Sequence, residues 1–258
     1  MISAQRVLSI RDLSVNFGGL KALSNVNIDL HQGEVLGLIG PNGAGKTTVF
    51  NALSGLVEPA SGSLELYGRK SKWLKPHQLV TNGISRTLQV VGLFPDLTVL
   101  ENVMMGAQHI AKAGLVQSFL GFAEKDEEHL REEAQSALER VYVGSLANRR
   151  ADTLAYPDTK RVAIARALVS EPKILLLDEP AGGLGPQDIE WLNGLIRNIK
   201  SHVSIIIVEH HMDVVMSICD RISVLNFGEL IVSGSKDEVR SNPDVIAAYL
   251  GSKKAGAK

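Results

Sequence analysis

The 258-residue chain has one cysteine, Cys219, so it can form no internal disulfide, and a reducing compartment fits this usage. Neither charge is in excess. Its 27 Lys and Arg against 28 Asp and Glu leave a formal net charge of -1, without the basic surplus that nonspecific nucleic-acid binding needs. Long apolar runs are missing too. Apolar stretches are short, such as those at 174–177 and 205–208, and fall far short of the roughly 20 residues of a membrane-spanning helix. The opening MISAQRVLSIRDLSV has no basic segment followed by an apolar one, so no secretory signal is expected. There is no internal repeat, and the only low-complexity stretch is the tail GSKKAGAK.

What is present alternates. Short apolar runs such as VLGLIG (35–40), KILLLD (173–178) and VSIIIVEH (203–210) read as buried strands of a parallel sheet. Between them lie segments of helical spacing at 46–54, 161–169 and 187–200. This order predicts an α/β fold with ligands at the carboxyl ends of the strands. The N-terminal stretches VLSIRDLSVNF and LSNVNIDL, and GSLELYG (62–68), alternate apolar and polar residues and are expected as antiparallel strands, the N-terminal pair at one edge of the sheet. From about 90 to 165 the rhythm breaks. AEKDEEHLREEAQSALERV (123–141) is charged and helix-forming, so a helical insertion is expected in an otherwise single domain spanning 1–258, its charges forming a solvated face.

GPNGAGKTT (40–48) fits the pattern G-x-x-x-x-G-K-[ST] directly after a strand and at the start of a helix. Glycines let several backbone N–H groups turn onto one anion, the helix dipole adds positive potential, and Lys46 supplies a full charge. Gly40, Asn42, Gly43, Ala44, Gly45, Lys46, Thr47 and Thr48 are therefore the expected phosphate-binding residues, with the Thr47 hydroxyl a candidate ligand for Mg2+. ILLLDEP (174–180) ends a buried strand on a carboxylate, which is costly unless a cation or hydrogen bonds receive it. Asp178 thus fits an Mg2+ role, and Glu179 could orient or deprotonate an attacking water.

With these motifs the chain resembles the ATP-binding subunits of ABC transporters, from about residue 8 to 251: a P-loop ATPase with a mainly parallel core, an antiparallel β edge and a helical subdomain. The resemblance implies a head-to-tail dimer in which each ATP lies between one subunit's phosphate loop and the other's signature helix. It implies that Phe17, in VNFGGLKAL, stacks on adenine, and that Gln89, in SRTLQVVGLF, senses Mg2+ and the attacking water. Residues 90–103 would face the transmembrane partner. In IIIVEHHMD, the flanking Val-Glu and Met-Asp favour His210 over His211 as the histidine that contacts the γ-phosphate. GGLGPQD (182–188) sits where the family's dimer-contacting loop belongs. FGGLKAL, RTLQ, EHHMDVVMSICDRISVLNFG and NPDVIAAYLG are most similar to importers of branched-chain amino acids and their urea-importing relatives. Such importers imply a second ATP-binding subunit, two membrane permeases, an external solute-binding protein and a peripheral place on the cytoplasmic face of the membrane.

One motif departs from the family. Its signature helix opens with L-S-G-G-Q, loosened to L-x-Y-G-x in this importer group; here the residues are Leu154, Ala155, Tyr156, Pro157 and Asp158. Proline removes an N–H that would point at the partner's γ-phosphate. Losing one preorganised donor to a transition-state oxyanion costs about 2.7–4 kcal/mol. Asp158 adds like-charge repulsion of roughly 3 kcal/mol at about 6 Å and an effective dielectric near 20. Locally, the same Tyr-Pro-Asp-Thr is a sound helix start. Shifting the alignment does not restore a glycine, since none lies between Gly144 and Gly182.

The defect would act in trans, so a heterodimer with one sound and one impaired site is expected, while a homodimer would carry it in both. A non-transport ABC protein acting on DNA or ribosomes would carry coiled-coil insertions or two fused halves, and this chain shows neither. A regulatory module that holds ATP with little hydrolysis is the alternative from a different class.

Overall fold

The computed structural model describes residues 5–87, 92–110 and 122–254. Two sheets form the frame. β1 (Arg6–Phe17), β2 (Leu20–His31), β4 (Ser61–Leu66) and β5 (Arg69–Ser71) make an antiparallel sheet of order β2-β1-β4-β5. The second sheet has the order β10-β9-β3-β8-β7-β6. It is built from β3 (Val35–Ile39), β6 (Ile84–Arg86), β7 (Ile174–Asp178), β8 (Ser204–Val208), β9 (Arg221–Asn226) and β10 (Glu229–Gly234). Its strands are parallel except β10, which pairs antiparallel with β9.

β3, β7 and β8 are buried at every position, and their alternate residues enter two different cores. Val35, Ile39, Leu175, Leu177, Ile205 and Ile207 face a core shared with helices, whereas Leu36, Leu38, Ile174, Leu176, Ile206 and Val208 face one shared with the antiparallel sheet. This division follows from the two-residue period of a strand. It also corrects one expectation: the N-terminal antiparallel strands are not an edge of the parallel sheet but a separate sheet laid on its face. Strands apolar on both sides need a layer on each side, and edge pairing would leave one face wet. Burying each Leu or Ile contributes about 1.5–3 kcal/mol, so these three strands anchor the sheet edge that carries the site.

The helices are α1 (Lys46–Leu53), α2 (Val99–Met104), α3 (Phe122–Arg140), α4 (Tyr156–Leu168), α5 (Pro186–Ile199), α6 (Met212–Ile218), α7 (Lys236–Ser241) and α8 (Pro243–Lys254). α1 packs Val49, Phe50, Ala52 and Leu53 between the two sheets. α2, α3 and α4 lie between β6 and β7 in sequence and share one apolar core through Val99, Val103, Ala134, Leu138, Val162 and Ile164. A capping box at Thr98 and Glu101 starts α2. α4 starts at Tyr156, five residues before the expected 161, with Ala155 as N-cap and a proline in the first turn, where its missing N–H is tolerated.

Candidate ATP site at the carboxyl edge of the parallel sheet

β8 lies between β3 and β7, with Leu38 opposite Val208 and Asp178 opposite Val208 in the two registers. Three loops therefore leave the sheet side by side: the phosphate loop after β3, Asp178-Glu179 after β7, and Glu209-His210-His211 after β8. Residues remote in sequence meet because parallel strands all end at one edge.

The phosphate loop is tightly enclosed at its root. Gly40 has a φ of 151°, and a Cβ there would lie 2.1 Å from the Leu225 carbonyl oxygen, so no other residue fits. Gly43 and Gly45 also have positive φ, and Gly45 is the N-cap of α1. Lys46 Nζ donates to the carbonyls of Gly40 at 2.7 Å and Pro41 at 2.9 Å. The ammonium thus curls over the loop. Burial lowers its pKa, and the charges of Glu179 and Asp178 oppose that shift, placing both acids within its field. Residues 42–48, with Phe17, Leu20, Lys21, Ala22, Glu179 and Phe227, line a cleft of about 510 Å³. Phe17 is half exposed at its apolar end.

Asp178 is 3 % exposed and pairs through Oδ2 with Arg86 Nη2 at 2.8 Å, itself 7 % exposed at its side chain. Arg86 also donates to Asn51 Oδ1 and Ser54 Oγ of α1 and its following turn, and lies over the Phe50 ring. A buried guanidinium with these partners answers the cost of ending a strand on a carboxylate. Sequence reasoning assigned that office to a metal and missed Arg86; an arginine ending the short strand beside Asp178 was the available signal. Thr47 lines the cleft, and a hydroxyl such as its own and a carboxylate such as that of Asp178 are ligand types that suit Mg2+.

Glu179 adopts a left-handed φ of 46°, and its amide donates to Val208 O at 2.9 Å. That turn lifts its side chain from the strand end into the cleft. His210 Nδ1 lies 3.8 Å from Glu179 Oε1, while His211 is the N-cap of α6. The separation exceeds a hydrogen bond. Glu209, fully buried, holds this geometry: Oε1 accepts from the Ala181 amide at 2.7 Å, and Oε2 from the amides of His210 at 2.9 Å and His211 at 3.2 Å. It ties the loop after β7 to the loop after β8, a role no local pattern announced. Gln89 lies outside the described residues.

The signature segment sits apart from the chain's own cleft but touches its loops. The Tyr156 hydroxyl donates to Gly182 O at 3.2 Å, and Lys160 Nζ donates to Glu179 O at 3.1 Å while lying over the Tyr156 ring. Asp158 lies 3.9 Å from Arg161, whose closer partner is Asp188 at 2.8 Å and whose guanidinium stacks on Trp191. Leu154 and Ala155 precede the helix in extended conformation.

Two family profiles match the sequence: "ABC transporter" over residues 23–182 and "Branched-chain amino acid ATP-binding cassette transporter" over residues 229–255. The chain belongs to the ABC transporter family and is one of its ATP-hydrolysing cassettes. It is 43 % identical over 253 residues to the high-affinity branched-chain amino acid transport ATP-binding protein LivG of Salmonella typhimurium, covering 96 % of this chain and 99 % of that protein. Its fold is similar to the ADP conformation of the cassette MJ1267, with a TM-score of 0.84 and 30 % identity over 95 % of this chain and 99 % of the other. It is also similar to the cassette MJ0796 in its dimeric structure, with a TM-score of 0.76 and 26 % identity over 88 % and 98 %. Among the described residues no helix is long and apolar enough to cross a membrane.

Proposed function

We propose that this chain energises an importer of branched-chain amino acids by hydrolysing ATP at its own phosphate loop, on the cytoplasmic face of the membrane. The convergence of the loops after β3, β7 and β8, with Lys46 in the field of Asp178 and Glu179, carries the ATPase reading. The matched C-terminal profile and the likeness to LivG support the solute class.

In this reading, the amides of residues 42–48 and Lys46 hold the β- and γ-phosphates, and Phe17 stacks on the base. Lys46 Nζ spends two of its three donors on the Gly40 and Pro41 carbonyls, which leaves one for a phosphate oxygen. Thr47, Asp178 and Gln89 would hold Mg2+, which neutralises phosphate charge when bound. Glu179 Oε1 accepts the proton of the attacking water, and His210 steadies the γ-phosphate oxygens from the adjoining loop. Glu209 and Lys160 position these groups without touching the nucleotide.

The second site of the pair uses this chain's α4. Pro157 offers that site no N–H, and Asp158 shares its neighbouring arginine with Asp188. This supports a heterodimer in which the partner's phosphate loop is served poorly. ATPase rates of the chain alone, with its sister subunit, and with Pro157→Gly plus Asp158→Gln test the asymmetry. If the unmodified chain alone already matches the repaired variant, the idea fails.

The permeases would dock on a groove of about 440 Å³ lined by Leu56, Leu79, Phe94, Met105 and Ala163, where Leu56, Phe94 and Met105 expose apolar surface. Phe94 falls within the expected 90–103 contact; residues 90 and 91 lie outside the described residues. With permeases and an external binding protein reconstituted in vesicles, leucine should stimulate ATP hydrolysis and urea should not. Stimulation by urea alone would replace the solute class and leave the ATPase intact.

A further inference from the structure

The turn joining β9 to β10 holds Phe227 in a doubly unfavourable state. Its side chain is 89 % exposed, and its φ is 46°. The left-handed region disfavours a bulky residue, and the ring leaves its apolar face in water. Nothing in the turn calls for an aromatic.

The turn itself is clamped. Gly228 donates its amide to Ala44 O at 3.0 Å and accepts from the Ser24 amide at 2.8 Å. A Cβ on Gly228 would lie 2.4 Å from Ala22 O, so the hairpin docks closely between β2 and the phosphate loop. Phe227 is thereby carried to the cleft and lines it together with Phe17, Leu20 and the phosphate-loop residues. An anion cradle with two exposed aromatic rings at one cleft fits a ligand that joins a polyphosphate to a flat, apolar ring.

We propose that Phe227 is a second nucleobase-binding residue, packing on the purine of ATP alongside Phe17. This rests on the reading of the cleft as the ATP site. The ring's exposure is borne by the free protein and relieved when the base covers it, while the positive φ of the clamped turn persists in both states.

Calorimetric titration of the full chain with Mg–ATP and with Mg–tripolyphosphate, which lacks a base, separates the possibilities. Phe227→Ala should weaken ATP about ten-fold, in line with aromatic–base stacking, and leave tripolyphosphate unchanged. Phe227→Trp should retain ATP affinity. Phe227→Gly should lose affinity as Phe227→Ala does while melting no lower than the unmodified chain, since glycine relaxes the positive φ. Lys46→Ala should weaken both ligands. Unchanged ATP affinity in Phe227→Ala, an equal loss for both ligands, or a Phe227→Gly chain that melts well below the unmodified one would overturn the proposal. An unmodified chain that binds neither ligand removes the ATP-site reading itself, an outcome distinct from loss of the base contact alone.

Discussion

Helix α1 begins at Lys46 behind Gly45 and has no acid in its first turn, whereas α4 begins at Tyr156 with Pro157 and Asp158 in its first turn. Both are buried helices whose N-termini are proposed to face phosphate. α1 keeps its positive end for a ligand and adds an ammonium. α4 spends the same end on its own aspartate, which complements the dipole and helps the helix start. Local helix stability and anion binding draw on one electrostatic resource, so what is good for one is bad for the other. The acids of the two regions differ in the same way: Asp178 has a buried guanidinium bonded at 2.8 Å, while Asp158 is a distant second partner of Arg161.

The comparison can be broken from the strong side first. Glu179→Gln keeps the shape of the site and removes the proton acceptor. It should cut kcat by about 10²–10⁴ while ATP still binds, as steady-state ATPase and nucleotide titration would read; a loss below three-fold would take Glu179 out of the chemistry. On the weak side, Pro157→Gly with Asp158→Gln returns a donor and removes a charge. With the sister subunit present, turnover at the partner's phosphate loop should rise by as much as 10²–10³, measured with that partner competent and this chain's Glu179 blocked.

A smaller effect concerns stability. Arg86→Met leaves Asp178 buried without its cation and should cost about 3–5 kcal/mol, a fall in Tm of roughly 10 °C for a domain this size. Arg161→Met leaves carboxylates that keep partial contact with solvent, Asp158 at 30 % and Asp188 at 23 % exposure, and should lower Tm far less. Equal shifts would mean that the two acids are held alike. Smallest is an expected non-event. Cys219 is buried behind β3, and burial pushes its thiol up to about 12. Alkylation at pH 8 should therefore be negligible in the folded chain and prompt in denaturant, by mass spectrometry; prompt labelling in the folded chain would mean that the core beneath the phosphate loop opens.

Much of the site was legible because its signals are local. GPNGAGKTT needs only its neighbours to turn amides inward, and ILLLDE carries its burial in its own composition. Gly40 shows the limit: its place in the motif was plain, but the Leu225 carbonyl that forbids a side chain comes from the other end of the chain. Arg86 and Asp178 are 92 residues apart, and Glu209 reaches back 28 to the Ala181 amide. No periodicity links such pairs. The stacking of the antiparallel sheet on the parallel one was likewise invisible, since an alternating strand shows that one face is buried and not what buries it.

By itself, then, the sequence determined the buried central strands and the main helices, a loop built to grip a polyphosphate, and which helix start lacks its donor. Each of these is a property of a few contiguous residues, set by backbone sterics, side-chain periodicity and charge. Only the tertiary structure decided that Asp178 answers to Arg86, that Glu209 fixes His210 beside Glu179, and that Phe227 stands at the mouth of the ATP cleft. Those depend on sheet order and register, which bring distant residues to one edge because burying both faces of β3, β7 and β8 leaves no other arrangement dry.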